Sequence, residues 1–222
     1  MSDLTLIIPA KNESESLPIV LNELKKFNYN INIVLHHSDH KTIESLSNNE
    51  VKVLYQQNLG YGDALIYGIN KCETEYFCIF NADGSFNPSE IGNMFTKLKQ
   101  NNLDFVFSSR YEKNSSSEDD TIITIIGNYF FTKLGNLLFS LKITDILYTF
   151  VLGKTSQAKK LSLVQKDFTL CVELPIKAKK NGMKISSINA HERKRIAGKK
   201  KVNAFRDGFL ILVHMIKLFL KK

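Results

Sequence analysis

The sequence holds only 4 prolines and 3 cysteines in 222 residues. Cys72, Cys78 and Cys171 are scattered with no Cys-x-x-Cys spacing, so neither a disulfide framework nor a paired-thiol site is expected, and Cys78 and Cys171 read as core packing. The opening Met-Ser-Asp-Leu-Thr-Leu-Ile-Ile has neither the basic region nor the apolar run of a secretory signal, which implies a cytosolic-side protein with reduced thiols. No apolar stretch is free of interruption for the roughly 20 residues a bilayer demands. Residues 121–141 come nearest, but Gly127, Asn128, Lys133, Gly135 and Asn136 break them, so an amphipathic or core helix is expected there rather than a spanning one. There is no internal repeat, and no recognised nucleic-acid module accompanies the basic residues, so nucleic acid is not an expected partner.

With 43% hydrophobic residues the chain can fill one core and is short for two. Its net charge of +8 is concentrated at the end: residues 190–222 carry ten of the 30 Lys and Arg but only two, Glu192 and Asp207, of the 22 acids. Such a segment is either a phosphate-seeking surface or a solvated face.

The strongest local signal is Tyr76-Phe-Cys-Ile-Phe-Asn-Ala-Asp83-Gly84-Ser85, a buried-type apolar strand that ends in a carboxylate and a turn. Short apolar runs at 4–8, 31–35, 51–55, 76–81 and 104–108 alternate with helical patterns at 17–27, 42–46, 64–72 and 88–100. This βα rhythm predicts a mostly parallel doubly wound sheet with ligands at the carboxyl ends of its strands. Residues 112–120, with three consecutive serines and several acids, read as a flexible loop, either a lid or an insertion. A helix at 172–181, a strand at 184–188 and a last helix at 202–220 follow. That last helix is apolar with Lys217, Lys221 and Lys222 at its end, which suits either a membrane interface or docking on the sheet.

Taken in order, Leu6-Ile-Ile-Pro-Ala-Lys-Asn-Glu13, Asn58-x-Gly60-Tyr-Gly62-x-Ala64, Asn81-Ala-Asp83-Gly84-Ser, Ser108-Ser-Arg110-Tyr111, Asp145, Glu173 and Arg195-x-x-Gly198-x-x-Lys201 resemble the inverting GT-A glycosyltransferases near dolichol-phosphate mannose synthase and its bacterial polyprenyl-phosphate relatives. A sugar nucleotidyltransferase would show a Gly-rich, Arg-containing loop after the first strand, and this chain has none. The resemblance implies a GT-A, Rossmann-like mostly parallel sheet over residues 1–201 and a basic amphipathic helix over 202–222. It also implies transfer of a sugar from a GDP- or UDP-linked donor to a polyprenyl or dolichyl phosphate, with Mg²⁺ or Mn²⁺ as cofactor and a peripheral location on the cytoplasmic face of a membrane.

By the same resemblance Pro9, Ala10, Asn12, Glu13, Asp39, Gly62, Asn81 and Ala82 hold the nucleotide, and Asp83 binds the metal. Asp83, Arg110 and Asp145 act in catalysis, and Glu173, Arg195 and Lys201 meet the acceptor or its phosphate. The chain departs from the family pattern in three places. Asn81 stands where a first Asp is usual, His36-His-Ser-Asp39 replaces an Asp-Asp-Gly-Ser type segment, and Asp145-Ile-Leu-Tyr-Thr149-Phe-Val151 lacks a Gly and an Arg. These leave open a soluble or polysaccharide acceptor, or a chain that binds without catalysing. His36, His37 and His40 read as surface-loop histidines rather than a metal site, since no second cluster sits at ligand spacing.

Overall fold

The computed structural model describes residues 3–47, 49, 51–198 and 201–221, so Lys199, Lys200 and Lys222 of the basic segment lie outside the described residues. The chain runs β1 (Leu4–Pro9), α1 (Leu17–Leu24), β2 (Asn30–His36), α2 (His40–Glu44), β3 (Lys52–Gln56), α3 (Tyr61–Lys71), β4 (Tyr76–Ile79), α4 (Ile91–Gln100) and β5 (Phe105–Ser109). It continues through β6 (Ser116–Ser117), α5 (Ile122–Phe139), β7 (Val151–Lys154), α6 (Thr155–Lys160), α7 (Leu170–Lys180), β8 (Ile185–Asn189), β9 (His191–Glu192) and α8 (Ala204–Leu220).

Seven strands form one sheet in the order β3-β2-β1-β4-β7-β5-β8, and β6 and β9 form a separate two-stranded ribbon. All pairings in the large sheet are parallel except those of β7, which runs antiparallel between β4 and β5. Successive strand residues feed opposite faces. Ile7, Phe77, Ile79, Phe105 and Phe107 pack under α3, α5, α7 and α8, whereas Leu4, Leu6, Ile8, Cys78 and Val106 pack under α1 and α4. Burial on both faces explains why these strands read as continuous apolar runs.

Three regions depart from the sequence expectation. β7 and α6 were not anticipated, because the run Phe150-Val-Leu-Gly is too short to announce a strand in the centre of a sheet. Residues 112–120 are tied down rather than free: β6 pairs with β9, and Glu118, Asp119 and Asp120 receive hydrogen bonds from His191, Arg195 and Arg110. α5 is a helix as expected, but it turns its polar side inward. Asn128 and Thr132 are buried and accept hydrogen bonds from the backbone of Leu147 and Ile146 (both 3.1 Å), while Ile122, Ile126, Tyr129, Phe130 and Leu137 are exposed. By length and hydropathy α5 would suffice to cross a bilayer, yet its inner side packs on α7 and α8. α8 lays Ile211, Met215 and Leu218 into the same core, so its inner face is docked and its outer face remains apolar.

Candidate active site

β4 delivers Asn81, Ala82 and Asp83 to the carboxyl edge of the sheet, because Phe80 still donates to Ile7 O of β1 (3.0 Å) before the chain turns. The turn is made by Asp83 itself: its Oδ1 accepts from Ser85 N (3.0 Å) and Ser85 Oγ (2.7 Å), and Gly84 adopts φ +81°. A side chain at Gly84 would meet the Ile196 side chain, Cδ1 at 2.4 Å, so glycine leaves room for the basic segment to rest Ile196 on the turn. It is held there by Arg193 N to Ser85 O and Ile196 N to Asp83 O, both 2.8 Å.

This contact places Arg195 Nη1 3.3 Å from Asp83 Oδ2, while its Nη2 donates to Asp119 Oδ2 at 2.9 Å. Burial works against the Arg195 charge, but Asp119 and Asp83 outweigh it and raise its pKa.

The loop after β1 is fixed by neighbouring polar groups. Asn12, at φ +53°, donates its backbone N–H to Asp39 Oδ2 (2.7 Å), and Asp39 also caps α2 through Thr42 N. Glu13 receives Ser16 Oγ (2.7 Å), and Lys201 pairs with Glu13 and donates to Lys11 O. Lys201 thus ties the segment before α8 to the loop after β1.

Arg110, at the end of β5, is enclosed by carboxylates. It reaches Asp145 through Nε (2.8 Å) and Nη2 (3.1 Å), and Asp120 (3.1 Å) and Glu192 (3.3 Å) through Nη1. Four of the five N–H donors of a guanidinium are therefore taken. Burial opposes its charge, yet the three acids, Asp145 foremost, hold the pKa well above the ordinary value.

A cleft of about 890 Å³ connects these groups. Pro9, Ala10, Asn12, Glu13, Asp39, Asn81, Ala82, Asp83, Arg110, Arg195 and Lys201 all line it. Gly62, Asp145 and Glu173 do not. Gly62 lies under the 165–167 backbone, where a Cβ would meet Gln165 O at 2.2 Å. Asp145 is fully buried and holds Arg110 and Tyr148 N. Glu173, also fully buried, accepts from Val164 N and Gln165 N and pairs with Lys177 (2.7 Å), so it shapes the loop before α7.

The cleft also includes Asp119, Asp120, Asn128, Tyr148, Glu192 and Arg206, which the sequence reading passed over. Asp119 and Asp120 sit in the acidic serine loop and Arg206 in the basic segment, whereas Asn128 shows only as a polar residue inside an apolar run.

His36 and Ser38 line the cleft with their side chains 2.7 Å apart, and among the described residues no three His, Cys, Asp or Glu are grouped to hold a metal unaided. The donor set does fit a hard cation delivered with a diphosphate. Asp83 Oδ1 is engaged by Ser85 while Oδ2 faces the cationic Arg195, and the Asn81 side chain lies close enough to donate to Ser85 Oγ (3.4 Å). Mg²⁺ and Mn²⁺ sites commonly use one or two protein oxygens and complete their shell from phosphate and water.

Comparison with known proteins agrees with this geometry. The chain is 28% identical over 207 residues to the UDP-N-acetylglucosamine–dolichyl-phosphate N-acetylglucosaminyltransferase of Methanococcus voltae, covering 82% of each chain. It is 27% identical over 194 residues to an uncharacterized protein of Methanocaldococcus jannaschii, covering 84% of this chain and 79% of that one. Glucosyl-3-phosphoglycerate synthase from Mycobacterium tuberculosis, solved with Mn²⁺, UDP and glucosyl-3-phosphoglycerate, superposes with a TM-score of 0.79 over 98% of this chain and 80% of that one, at 12% identity, a likeness of fold. The profile described as Glycosyl transferase family 2 matches residues 5–161, and with the seven-stranded sheet and the Asp83 cleft at its edge this makes the chain a member of that family, a glycosyltransferase of GT-A fold.

Proposed function

We propose that the protein transfers a glycosyl group from a nucleoside-diphosphate sugar to a polyprenyl phosphate at a membrane surface. The observation that carries this reading is the continuity of the cleft. Asp83 and Asn81 at the sheet edge share it with Ile123, Ile126, Phe131, Phe205, Leu210 and Ile211 from α5 and α8, so a phosphate with an apolar tail has a polar end and an apolar wall. Outside the cleft, the exposed apolar residues of α5 (Ile122, Tyr129, Phe130 and Leu137) and of α8 (Phe209, Ile216 and Leu220) recur at helical spacing. Lys133, Lys217 and Lys221 accompany them, a pattern suited to an anionic lipid interface on the cytoplasmic side. The Methanococcus voltae relative is named for a UDP-linked donor and a dolichyl phosphate acceptor, and solved neighbours hold UDP with Mn²⁺ or Mg²⁺, which supports the donor class and the cation.

In this reading Pro9, Ala10, Asn12, Glu13 and Asp39 form the nucleotide end of the cleft. Asp83, with Asn81 beside it, would hold Mg²⁺ or Mn²⁺, whose charge stabilises the departing diphosphate. Arg195 and Lys201, now paired with Asp83 and Glu13, supply cationic donors to diphosphate or acceptor phosphate. The acceptor oxygen forms its bond to the anomeric carbon as the bond to the nucleoside diphosphate breaks on the opposite face, which inverts the configuration. A phosphate oxygen is already anionic at neutral pH, so the chemistry asks for no strong general base. Asp145 keeps Arg110 and the 145–148 turn in place, and Glu173 does the same for the loop before α7.

The test is incubation with Mn²⁺, a panel of UDP- and GDP-sugars and a short polyprenyl phosphate, followed by mass analysis of the lipid. A glycosyl-phosphoryl lipid from one donor is expected. Transfer only to soluble hydroxyl acceptors, or donor binding with no transfer to any acceptor, overturns the reading.

A further inference from the structure

Among the described residues, two buried polar atoms of the cleft have no hydrogen-bond partner: Asn128 Nδ2 and Tyr148 Oη. Asn128 is 1% exposed and Tyr148 4% exposed, both line the cleft, and they are adjacent through the backbone, since Asn128 Oδ1 accepts from Leu147 N (3.1 Å). Folded proteins rarely leave buried donors unpaired, and such groups in a binding cleft point to a ligand oxygen.

The surroundings say what kind of oxygen. Among the described residues the cation stacked on Tyr148 is Arg110, whose Cζ lies 4.6 Å from the ring centroid. Arg110 is already matched by Asp145, Asp120 and Glu192, so the cluster carries an excess of negative charge. Burial pushes the Glu192 pKa up, yet a protonated Glu192 still leaves two carboxylates against one guanidinium. A phosphate would be repelled here, whereas a neutral hydroxyl or carbonyl oxygen would find two donors. Tyr148 remains a donor throughout the neutral range, because burial first, and then the field of Glu192, raise its pKa well above the ordinary value.

We infer that Tyr148 and Asn128 read the transferred glycosyl group, each donating a hydrogen bond to a neutral oxygen of the sugar ring or its substituents. This assignment rests on the nucleotide-sugar reading above and adds where specificity for the sugar resides. The basic groups suited to phosphate are engaged elsewhere: Arg195 with Asp83 and Asp119, and Lys201 with Glu13.

The test is calorimetric binding with Mn²⁺ of the UDP- or GDP-sugar that wild type binds most tightly and of the matching free nucleoside diphosphate, for wild type and Tyr148→Phe. Phenylalanine preserves the ring contacts with Phe86 (4.9 Å) and Arg110. The sugar nucleotide is expected to bind about five- to tenfold more weakly, the worth of one neutral hydrogen bond, with free diphosphate affinity and acceptor KM unchanged. The thermal midpoint should not fall, because the lost hydroxyl has no partner in the fold. Asn128→Asp, which retains an oxygen for Leu147 N, should weaken the sugar nucleotide further. Unchanged sugar-nucleotide affinity in Tyr148→Phe, a lowered midpoint, or a loss appearing in acceptor KM instead overturns the assignment. If wild type binds no nucleotide sugar, the functional reading fails along with it; if wild type binds and Tyr148→Phe binds equally, only this assignment fails.

Discussion

Arg110 and Asp145 meet in a two-point ion pair, Nε to Oδ2 at 2.8 Å and Nη2 to Oδ1 at 3.1 Å, with the Asp145 carboxylate wholly excluded from solvent. The same carboxylate also receives the backbone N–H groups of Arg110 and Tyr148 (both 3.1 Å), so one side chain fixes both the end of β5 and the turn before β7. Removing one partner of a buried pair strands the other charge and its hydrogen bonds. Asp145→Ala is therefore expected to cost about 3–5 kcal/mol and to lower the thermal midpoint by roughly 10 °C for a chain of this size, measured by denaturant and thermal melts. A loss under about 1 kcal/mol would mean that Asp120 and Glu192 suffice to hold Arg110.

The outward stripes of α5 and α8 offer a test on lipid. Tyr129 and Phe209 are each 66% exposed, and neither lines the cleft. Tyr129→Glu and Phe209→Glu should each weaken co-sedimentation with anionic vesicles by about tenfold or more, from the lost apolar burial and the added charge. Free nucleotide affinity should be unchanged in both.

Stability should also respond to pH through His214 on α8. Burial lowers its pKa below 6.5, Glu173 and Asp167 pull the other way, Lys177 and Lys217 add to the lowering, and its Nε2 has no hydrogen-bond partner among the described residues. A folded-state pKa below the unfolded one means that the unfolded chain takes up the proton first. The His214 contribution is thus constant above pH 6.5, and stability is lost as pH falls from 6.5 toward the folded pKa. A thermal-shift series should show the midpoint dropping below pH 6.5 in wild type and dropping less in His214→Leu, the difference isolating this residue from the carboxylates.

The first half of the fold was legible because β1, β2, β4 and β5 are buried on both faces and therefore written as unbroken apolar runs. β7 was not, since its four residues owe their strand to β4 and β5 on either side, and local sequence cannot show that. Serine and acid content made residues 112–120 look mobile, whereas Asp119 and Asp120 are held by Arg195, 76 positions later, and by Arg110, 10 positions earlier. Motif order located Asp83, Glu13, Arg195 and Lys201 along one cleft, but it carried no depth: Asp145 and Glu173 share the motifs and lie beneath the wall. Asn128 and Tyr148 were missed for a related reason, as one apolar-run polar residue and one ring among 8 tyrosines do not announce unpaired donors.

Asp83 is the carboxylate at the centre of the cleft's polar end, and Asp83→Asn alters it minimally, since Oδ1 can still accept from Ser85 N and Oγ while one charge is removed beside Arg195. The most direct measurement is the Mn²⁺-dependent rate of glycosyl-phosphoryl lipid formation on polyprenyl-phosphate vesicles, for wild type and Asp83→Asn, with thermal midpoints recorded for both. Measurable lipid product from wild type is expected, with a loss of at least about 100-fold in the variant at an unchanged midpoint. A variant that forms lipid product at the wild-type rate would contradict the role proposed for Asp83.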